Sequence, residues 1–333
     1  MRHTTPAPLK YILAAFVASL LALVSPDVPA QAYPTKPITW IVPFPPGGVT
    51  DSTSRVVAKR MSEILGVSIV VENKPGAGGM LGVETGARAA PDGYTIMYVS
   101  QGPFAANKHL YKNIRYDPLR DFSFVHGMFM SPMILLVPAN SPFNTVAELI
   151  DYAKKNPGKL NYGSAGAGTG PHVNMEMLLM AAGIKITHIP YKGSGPAMVD
   201  LLGGRLDLAL DFPSQALPYL QGPNPRLRTL VAMGPKRFDF IADVPTIGEA
   251  GYPAASSAAW SGIAVPVGTP APIISKLAAA MSEALADPAV VGQYEKLGTF
   301  TLTGLTQDKF RAFVAEDYAR MGEIIRRAGI TLD

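Results

Sequence analysis

Short apolar runs alternate with amphipathic stretches along the first third of the chain. Ile38–Val42 is almost wholly apolar, which is typical of a strand buried on both faces. Asp51–Leu65 follows, and its apolar residues recur at helical spacing. Val67–Val71 predicts a strand, Leu81–Ala89 a helix and Tyr94–Val99 another strand. A βαβαβ order of this kind predicts an open, mostly parallel sheet.

The rest of the chain repeats the pattern and then becomes mostly helical. Thr145 and Glu148 form a capping-box pattern at the start of a predicted helix that ends at Lys155. Further strands are predicted at Met133–Val137, Leu160–Tyr162, Ile186–Pro190, Leu206–Leu210, Leu227–Ala232 and Trp260–Val265, and further helices at His172–Ala182, Ser194–Leu202, Pro272–Ala286 and Thr306–Ala328. We therefore predict an α/β protein of two domains, with the chain crossing between them near Ser131–Pro138 and near Ser256–Pro266. A cleft between two domains is a common ligand site.

The N-terminus has the pattern of an export signal. Arg2 and Lys10 are followed by the apolar run Tyr11–Val24, which is shorter than the ~20 residues that span a bilayer. Ala30-Gln31-Ala32 has the small-x-small form of a signal-peptidase site. We expect residues 1–32 to be a signal peptide cleaved after Ala32, so that the mature protein is periplasmic; an uncleaved anchor is the alternative.

Composition excludes several classes of function. The chain of 333 residues is 48% hydrophobic and 16% charged, as expected for packed globular domains. It has no cysteine, so disulfides and thiolate chemistry are excluded. The formal net charge of +4 is spread without a Lys/Arg cluster, which argues against nucleic-acid and membrane-surface binding. We expect no cofactor and no bound metal.

Two glycine-rich loops each follow a predicted strand and open a predicted helix. The first is Phe44–Asp51, with Gly47 and Gly48 at its centre, and the second is Tyr162–His172. A helix start offers unpaired N–H groups and the positive end of the helix dipole. Glycines let that backbone come close to a ligand. Two such loops at the carboxyl ends of strands predict a site that holds both ends of one small anion.

Three side chains near these loops have two readings each. Asp51 either orders the first loop through backbone N–H groups or contacts a ligand. His172 either donates to a carboxylate or orders the second loop as a neutral side chain, because a helix N-terminus disfavours its protonation. Tyr191, with Lys192 and Gly193, either contributes to the cleft or packs at the surface.

Catalytic motifs are absent from the sequence. The glycines of Gly166–Gly170 do not fit the G-x-G-x-x-G spacing, and no G-x-x-x-x-G-K-[ST] loop occurs. The histidines do not form H-E-x-x-H, and no G-x-S-x-G elbow frames Ser164. We therefore predict that the protein is not an enzyme.

Many motifs in order resemble the Bug family, the extracytoplasmic solute receptors of tripartite tricarboxylate transporters. The resemblance spans the predicted mature chain. Its motifs are Tyr33–Ile38, Val42–Asp51, Val71–Gly79, Pro91–Tyr94, Tyr116–Phe122, Tyr162–His172, His188–Gly193, Asp243–Thr246, Trp260 and Ala264–Pro270. It implies a two-lobed type II periplasmic-binding-protein fold with the ligand cleft between the lobes. The lobes are expected at residues 33–132 with 260–333, and at 133–259.

The resemblance also implies that the two loops hold a small carboxylate, largely through backbone amides and ordered waters. The expected ligand is a di- or tricarboxylate. Many members have Asn where this chain has Phe212, and this aromatic residue leaves open whether the ligand is aliphatic or aromatic, such as a phthalate isomer. Phe104 is a further candidate for an aromatic wall. The candidate ligand-binding residues are Phe44, Gly47, Gly48, Thr50, Asp51, Ser164, Ala165, Gly166, Gly168, Thr169, His172, Tyr191, Asp211 and Phe212. The expected partners are the membrane subunits of the transporter, and a monomer is expected. A receptor that reports its ligand to a membrane kinase, or an enzyme acting on a carboxylate, is the alternative.

Overall fold

The computed structural model describes residues 33–296 and 298–328. The predicted signal peptide and its cleavage after Ala32 lie outside these residues. The strands are β1 (Ile38–Val42), β2 (Ile69–Asn73), β3 (Thr95–Ser100), β4 (Phe122–Pro132), β5 (Ile134–Pro138), β6 (Asn161–Ser164), β7 (Thr187–Pro190), β8 (Leu208–Asp211), β9 (Leu227–Ala232), β10 (Ala258–Pro266) and β11 (Phe300–Thr301).

Helices connect most of these strands. They are α1 (Val49–Leu65), α2 (Met80–Ala87), α3 (Asn107–Leu110), α4 (Val146–Lys155), α5 (Gly170–Ala182), α6 (Ser194–Leu202), α7 (Pro213–Leu220), α8 (Ala271–Ala286), α9 (Pro288–Lys296) and α10 (Gln307–Ala328). A π-helical turn, Gly102–Ala106, precedes α3, and short 3₁₀ turns lie at Ala77–Gly79, Asp239–Ile241 and Pro253–Ala255. Within the part of the chain that is described, no helix is both long and apolar enough to cross a membrane.

The strands form two sheets. The first has the order β11-β4-β10-β3-β1-β2, and the second β7-β6-β8-β5-β9. The chain leaves the first sheet after Pro132 and re-enters it at Ala258, which pairs with Pro132. Both passages fall in the segments where the sequence predicts crossings. The two sheets with their connecting helices confirm the predicted α/β class. The residue limits of the two lobes stay a prediction.

Strand direction brings distant loops together. In the first sheet β1 runs parallel to β3, and in the second β6 runs parallel to both β7 and β8. The carboxyl ends of parallel strands meet at one edge of a sheet. The first glycine loop therefore lies beside the segment that follows β3, and the second lies beside the segments that follow β7 and β8.

Local signals set most element ends. Thr145 accepts from the N–H of Glu148, and the Glu148 carboxylate accepts from the N–H of Thr145, which confirms the capping box. Gly66 ends α1 in the left-handed conformation at φ 72°. The predicted start of that helix was wrong by two residues. The helix begins at Val49 rather than at Asp51, with Gly48 as its N-cap.

Candidate functional site

A cavity of about 260 Å³ lies between the two glycine-rich loops. This volume is near the lower end of the ~300–1,000 Å³ that ligand pockets span. Predicted residues that line the cavity are Phe44, Gly47, Gly48, Thr50, Ala165, Thr169 and Phe212. The starts of α1 and α5 both border it, through Val49 and Gly170. The structure thus brings the two predicted anion-holding loops to one cavity.

The first loop is held in shape by Asp51. Its Oδ2 accepts from the Gly47 N–H at 2.9 Å, and its Oδ1 accepts from Arg55 Nε at 3.0 Å. Burial alone would raise the pKa of the Asp51 carboxyl, but the hydrogen bonds from Arg55 and Gly47 outweigh it and hold that pKa below its ordinary value. Asp51 does not line the cavity. The position of Asp51 supports the interpretation that it orders the first loop.

Side chains behind the second loop hold it in a similar way. Ser164 Oγ accepts from the Gly166 N–H at 3.1 Å and lies 2.7 Å from His188 Nε2. The Gly168 N–H donates to His172 Nδ1 at 3.0 Å. The loop side chains Ser164 and His172 are buried, and neither they nor Gly166 and Gly168 line the cavity. Their arrangement shapes the loop, while Ala165 and Thr169 face the space.

The imidazole of His172 stacks on that of His188 with ring centroids 4.1 Å apart. Burial lowers the pKa of His172 to about 3, with a further lowering from His188, and burial lowers the pKa of His188 to about 4. An unprotonated Nδ1 is required to accept from Gly168. His172 is therefore a neutral, loop-ordering residue, as one of the two readings of the sequence has it.

Neither of the predicted residues Tyr191 and Asp211 lines the cavity. The Tyr191 hydroxyl donates to Asp200 at 2.8 Å, and it is the next residue, Lys192, that lines the cavity. Asp211 accepts from Ser194 Oγ at 2.9 Å and from the Phe212 N–H at 2.8 Å. Burial raises the pKa of the Asp211 carboxyl to about 6, although these two hydrogen bonds act to lower it. Asp211 thereby fixes Ser194 and Phe212, both of which border the cavity.

Aromatic side chains form much of the wall. Besides Phe44 and Phe212 they are Tyr98, Phe129 and Trp260, which sequence reasoning did not single out as ligand contacts. The expectation that Phe104 joins this wall is wrong. Phe104 is fully buried, and its ring packs 5.1 Å from that of Phe122 and 6.2 Å from that of Phe124.

The charge at the lining of the cavity is of one sign, positive. Among the described residues that line it, Lys192 is the one charged side chain, and no carboxylate borders the space directly. In the described parts of the chain, no three His, Cys, Asp or Glu side chains come together as a metal site would require. The cavity is therefore electrostatically suited to an anion rather than to a cation.

Comparison with known proteins gives the class and the family. Residues 53–330 match the family described as "Tripartite tricarboxylate transporter family receptor". Protein BugT of Bordetella pertussis is 34% identical over 322 residues, which cover 96% of this chain and 97% of BugT. Rpa4515 of R. palustris, solved with adipate, is 33% identical with a TM-score of 0.84, covering 90% of this chain and 99% of that one. MatC from Rhodopseudomonas palustris, solved with bound malate, is 32% identical with a TM-score of 0.82, covering 88% and 100%.

The chain has two sheets with helices, a cavity between two helix starts, and likeness to the two solved structures named above. Together these define a periplasmic solute-binding protein. The chain belongs to the tripartite tricarboxylate transporter receptor family, whose members include the Bug proteins. The family resemblance found in the sequence is thus confirmed. Receptors of this family are periplasmic.

Proposed function

We propose that this protein captures a small dicarboxylate in the cavity between its two glycine-rich loops and delivers it to the membrane subunits of a tripartite transporter. One observation carries the proposal. The cavity is bordered by the N-termini of α1 and α5, and its one charged lining side chain among the described residues is the cationic Lys192. Each helix start offers unpaired N–H groups, and each would meet one carboxylate of the ligand.

The energy terms favour an anion at both ends. A helix dipole contributes about 0.3–1 kcal/mol to an anion at its N-terminus, and up to ~2 kcal/mol where the site is partly buried. Hydrogen bonds from N–H groups to a carboxylate are roughly twice as strong as neutral ones. A monocarboxylate would engage one helix start only. The adipate and malate bound by the two relatives are both dicarboxylates, which supports this size and charge.

We further propose that the body of the ligand is a hydrocarbon, with an aromatic dicarboxylate such as a phthalate isomer as the first candidate. Five aromatic side chains line the cavity: Phe44, Tyr98, Phe129, Phe212 and Trp260. Aromatic rings pack well against one another in offset or edge-to-face arrangements. An aliphatic diacid of similar length is the second candidate.

Capture proceeds by closure of the two lobes, which we assign to residues 33–132 with 260–333 and to 133–259. A ligand that bridges both loops binds the closed state more tightly than the open one, and this difference drives closure. Binding rather than bond chemistry is then the whole function of the cavity. We expect a monomer, exported through the predicted leader.

A thermal-shift screen against mono-, di- and tricarboxylates tests the proposal. A ligand that binds only the folded protein stabilises it by about 2.7 kcal/mol at a concentration of 100 Kd. Dicarboxylates should raise the melting temperature, with benzoate and acetate as matched monocarboxylate controls. The absence of a shift with every carboxylate would refute the proposal, and steady turnover of any of them would show an enzyme instead.

A further inference from the structure

A buried carboxylate stands directly behind the aromatic wall of the cavity. Asp317 lies on α10, is 6% exposed, and accepts from the indole Nε1–H of Trp260 at 2.7 Å. Trp260 lines both the ligand cavity and a second cavity of about 280 Å³, whereas Asp317 lines the second cavity and not the first. The one N–H of the indole therefore donates to a residue that does not line the ligand cavity.

The same carboxylate also takes a donor from Gln101, which lines the ligand cavity. Gln101 Nε2 donates to Asp317 Oδ2 at 3.2 Å, and Gln101 Oε1 accepts from Asn174 Nδ2 at 2.9 Å. These two bonds fix the amide orientation, because a carboxylate can only accept and the Asn174 amide group donates here. The carbonyl oxygen and one of the two N–H groups of the Gln101 amide are therefore used within the protein.

The charge of Asp317 is balanced on its outer side. Arg320 Nε donates to Asp317 Oδ1 at 2.8 Å, and Arg320 Nη2 donates to the same oxygen. Arg320 is half-exposed and lines the second cavity, as does the exposed Glu316. The Arg320 guanidinium is thus the cationic partner of the buried Asp317 carboxylate.

Other polar groups near the wall are also committed or covered. Thr169 Oγ1 donates to the Gly166 carbonyl at 2.7 Å, and Ser194 Oγ donates to Asp211 at 2.9 Å. The Ser100 hydroxyl, which belongs to another lining residue, is covered from solvent and has no hydrogen-bond partner among the described residues. A ligand hydroxyl placed against this wall would lose its water partners and find few in exchange.

We propose that Asp317 is a specificity-determining positioning residue of the ligand cavity. By holding the indole N–H of Trp260 and one N–H of Gln101 away from the ligand, it keeps the part of the cavity wall around Trp260 apolar, so that the site selects dicarboxylates with an unsubstituted hydrocarbon body over their hydroxylated counterparts. The inference rests on the proposed function, since it assumes that a dicarboxylate occupies this cavity.

Matched ligand pairs that differ by one hydroxyl test the selectivity. They are succinate with malate, and terephthalate with 2-hydroxyterephthalate. Loss of a hydrogen bond that is not replaced costs on the order of tenfold or more in affinity. The wild-type protein should therefore bind the unsubstituted member of a pair at least about tenfold more tightly.

Variants of Asp317 test its role. Asp317→Leu releases both donors and should reduce the preference to within about threefold, while Asp317→Asn, which keeps one acceptor, should lie between. Glu316→Gln is the matched control, because it removes a carboxylate charge one residue away without touching Trp260, and it should keep the full preference. In a Trp40→Phe background Trp260 is the sole tryptophan, and its fluorescence emission should shift in both Asp317 variants and not in the control.

The outcomes separate the two proposals. If the wild-type protein binds no dicarboxylate, the proposed function fails. If it binds dicarboxylates but takes both members of a pair equally, or if Asp317→Asn leaves both the preference and the Trp260 emission unchanged, the role of Asp317 is refuted. If Asp317→Leu does not fold, Asp317→Asn decides the question alone.

Discussion

The Tyr111 hydroxyl donates a 3.1 Å hydrogen bond to the carbonyl oxygen of Ala167. Tyr111 follows α3 on the side of the first sheet, whereas Ala167 lies in the glycine loop after β6 of the second. The same carbonyl lies close to Gly78, where an added Cβ would be 2.5 Å from it. The second glycine loop thus contacts Tyr111 and the backbone at Gly78, both on the side of the first sheet, beside the ligand cavity.

We predict that Gly78→Ala weakens dicarboxylate binding by about tenfold or more, because the new methyl group would displace the Ala167 carbonyl, and with it the second glycine loop. Gly66→Ala is the matched control. Gly66 has a similar positive φ, 72° against 61°, but an added Cβ there meets nothing within 4 Å. Both variants place an alanine at a positive φ, so the energetic cost of backbone strain is similar in the two. Calorimetric titration of the two should separate them, and equal affinities would show that this contact does not matter for binding.

We predict that Lys192→Met lowers affinity for a dicarboxylate by about two- to tenfold at low salt, because the exposed ammonium group attracts the anion at the mouth of the cavity. The loss should shrink at high salt, where exposed charges are screened. Lys185→Met is the control, since Lys185 is exposed and does not line the cavity. Titrations at two salt concentrations check this, and a loss that is the same at both would contradict it.

How much of this site the sequence could predict depends on whether the signal is local. Gly47 and Gly166 were found because glycines between a strand and a helix mark a loop without any knowledge of the fold. Tyr98 and Trp260 were missed as wall residues because they lie in buried strands, where an aromatic side chain looks the same whether it faces the core or a cavity.

Other features depend on distances along the chain that no local pattern records. Gln101 and Asp317 are 216 positions apart and meet only in the folded protein. Phe104 was misplaced because it lies in a π-helical turn that the apolar pattern does not distinguish from a cleft loop. Tyr191 and Lys192 were left open because adjacent residues after a strand point to opposite sides.

The stacked histidines give the fold a pH dependence. The pKa of His172 is about 3 in the folded protein against about 6.5 when unfolded, so the unfolded chain binds more protons between these values. Stability is then complete above pH 6.5 and is lost as the pH falls below it. We predict that the free energy of unfolding falls by on the order of 2 kcal/mol more between pH 6.5 and 5.0 in the wild-type protein than in His172→Gln.

Denaturant unfolding of both proteins at the two pH values measures this difference. Asp211 acts in the opposite direction, because its pKa is raised to about 6 and its stabilising effect is lost as the pH rises. Both proteins contain Asp211, so its effect cancels in the comparison. Parallel dependences on pH would contradict the account of His172.

We predict that Phe212→Asn weakens the binding of terephthalate about five- to tenfold more than that of adipate, because a ring loses an aromatic neighbour and a flexible chain loses less. Phe212 also packs against the core of the second sheet, so the variant will be less stable. The ratio of the two affinities in one protein preparation removes this general effect. Equal losses for both ligands would favour the aliphatic candidate.

The claim that one dicarboxylate bridges the two helix starts is tested most directly by a crystal structure with the dicarboxylate that gives the largest thermal shift. The account predicts one carboxylate within about 3 Å of backbone nitrogens at the start of α1 and the other within about 3 Å of those at the start of α5, directly or through one water. A ligand held at one loop only, or bound outside this cavity, would contradict it.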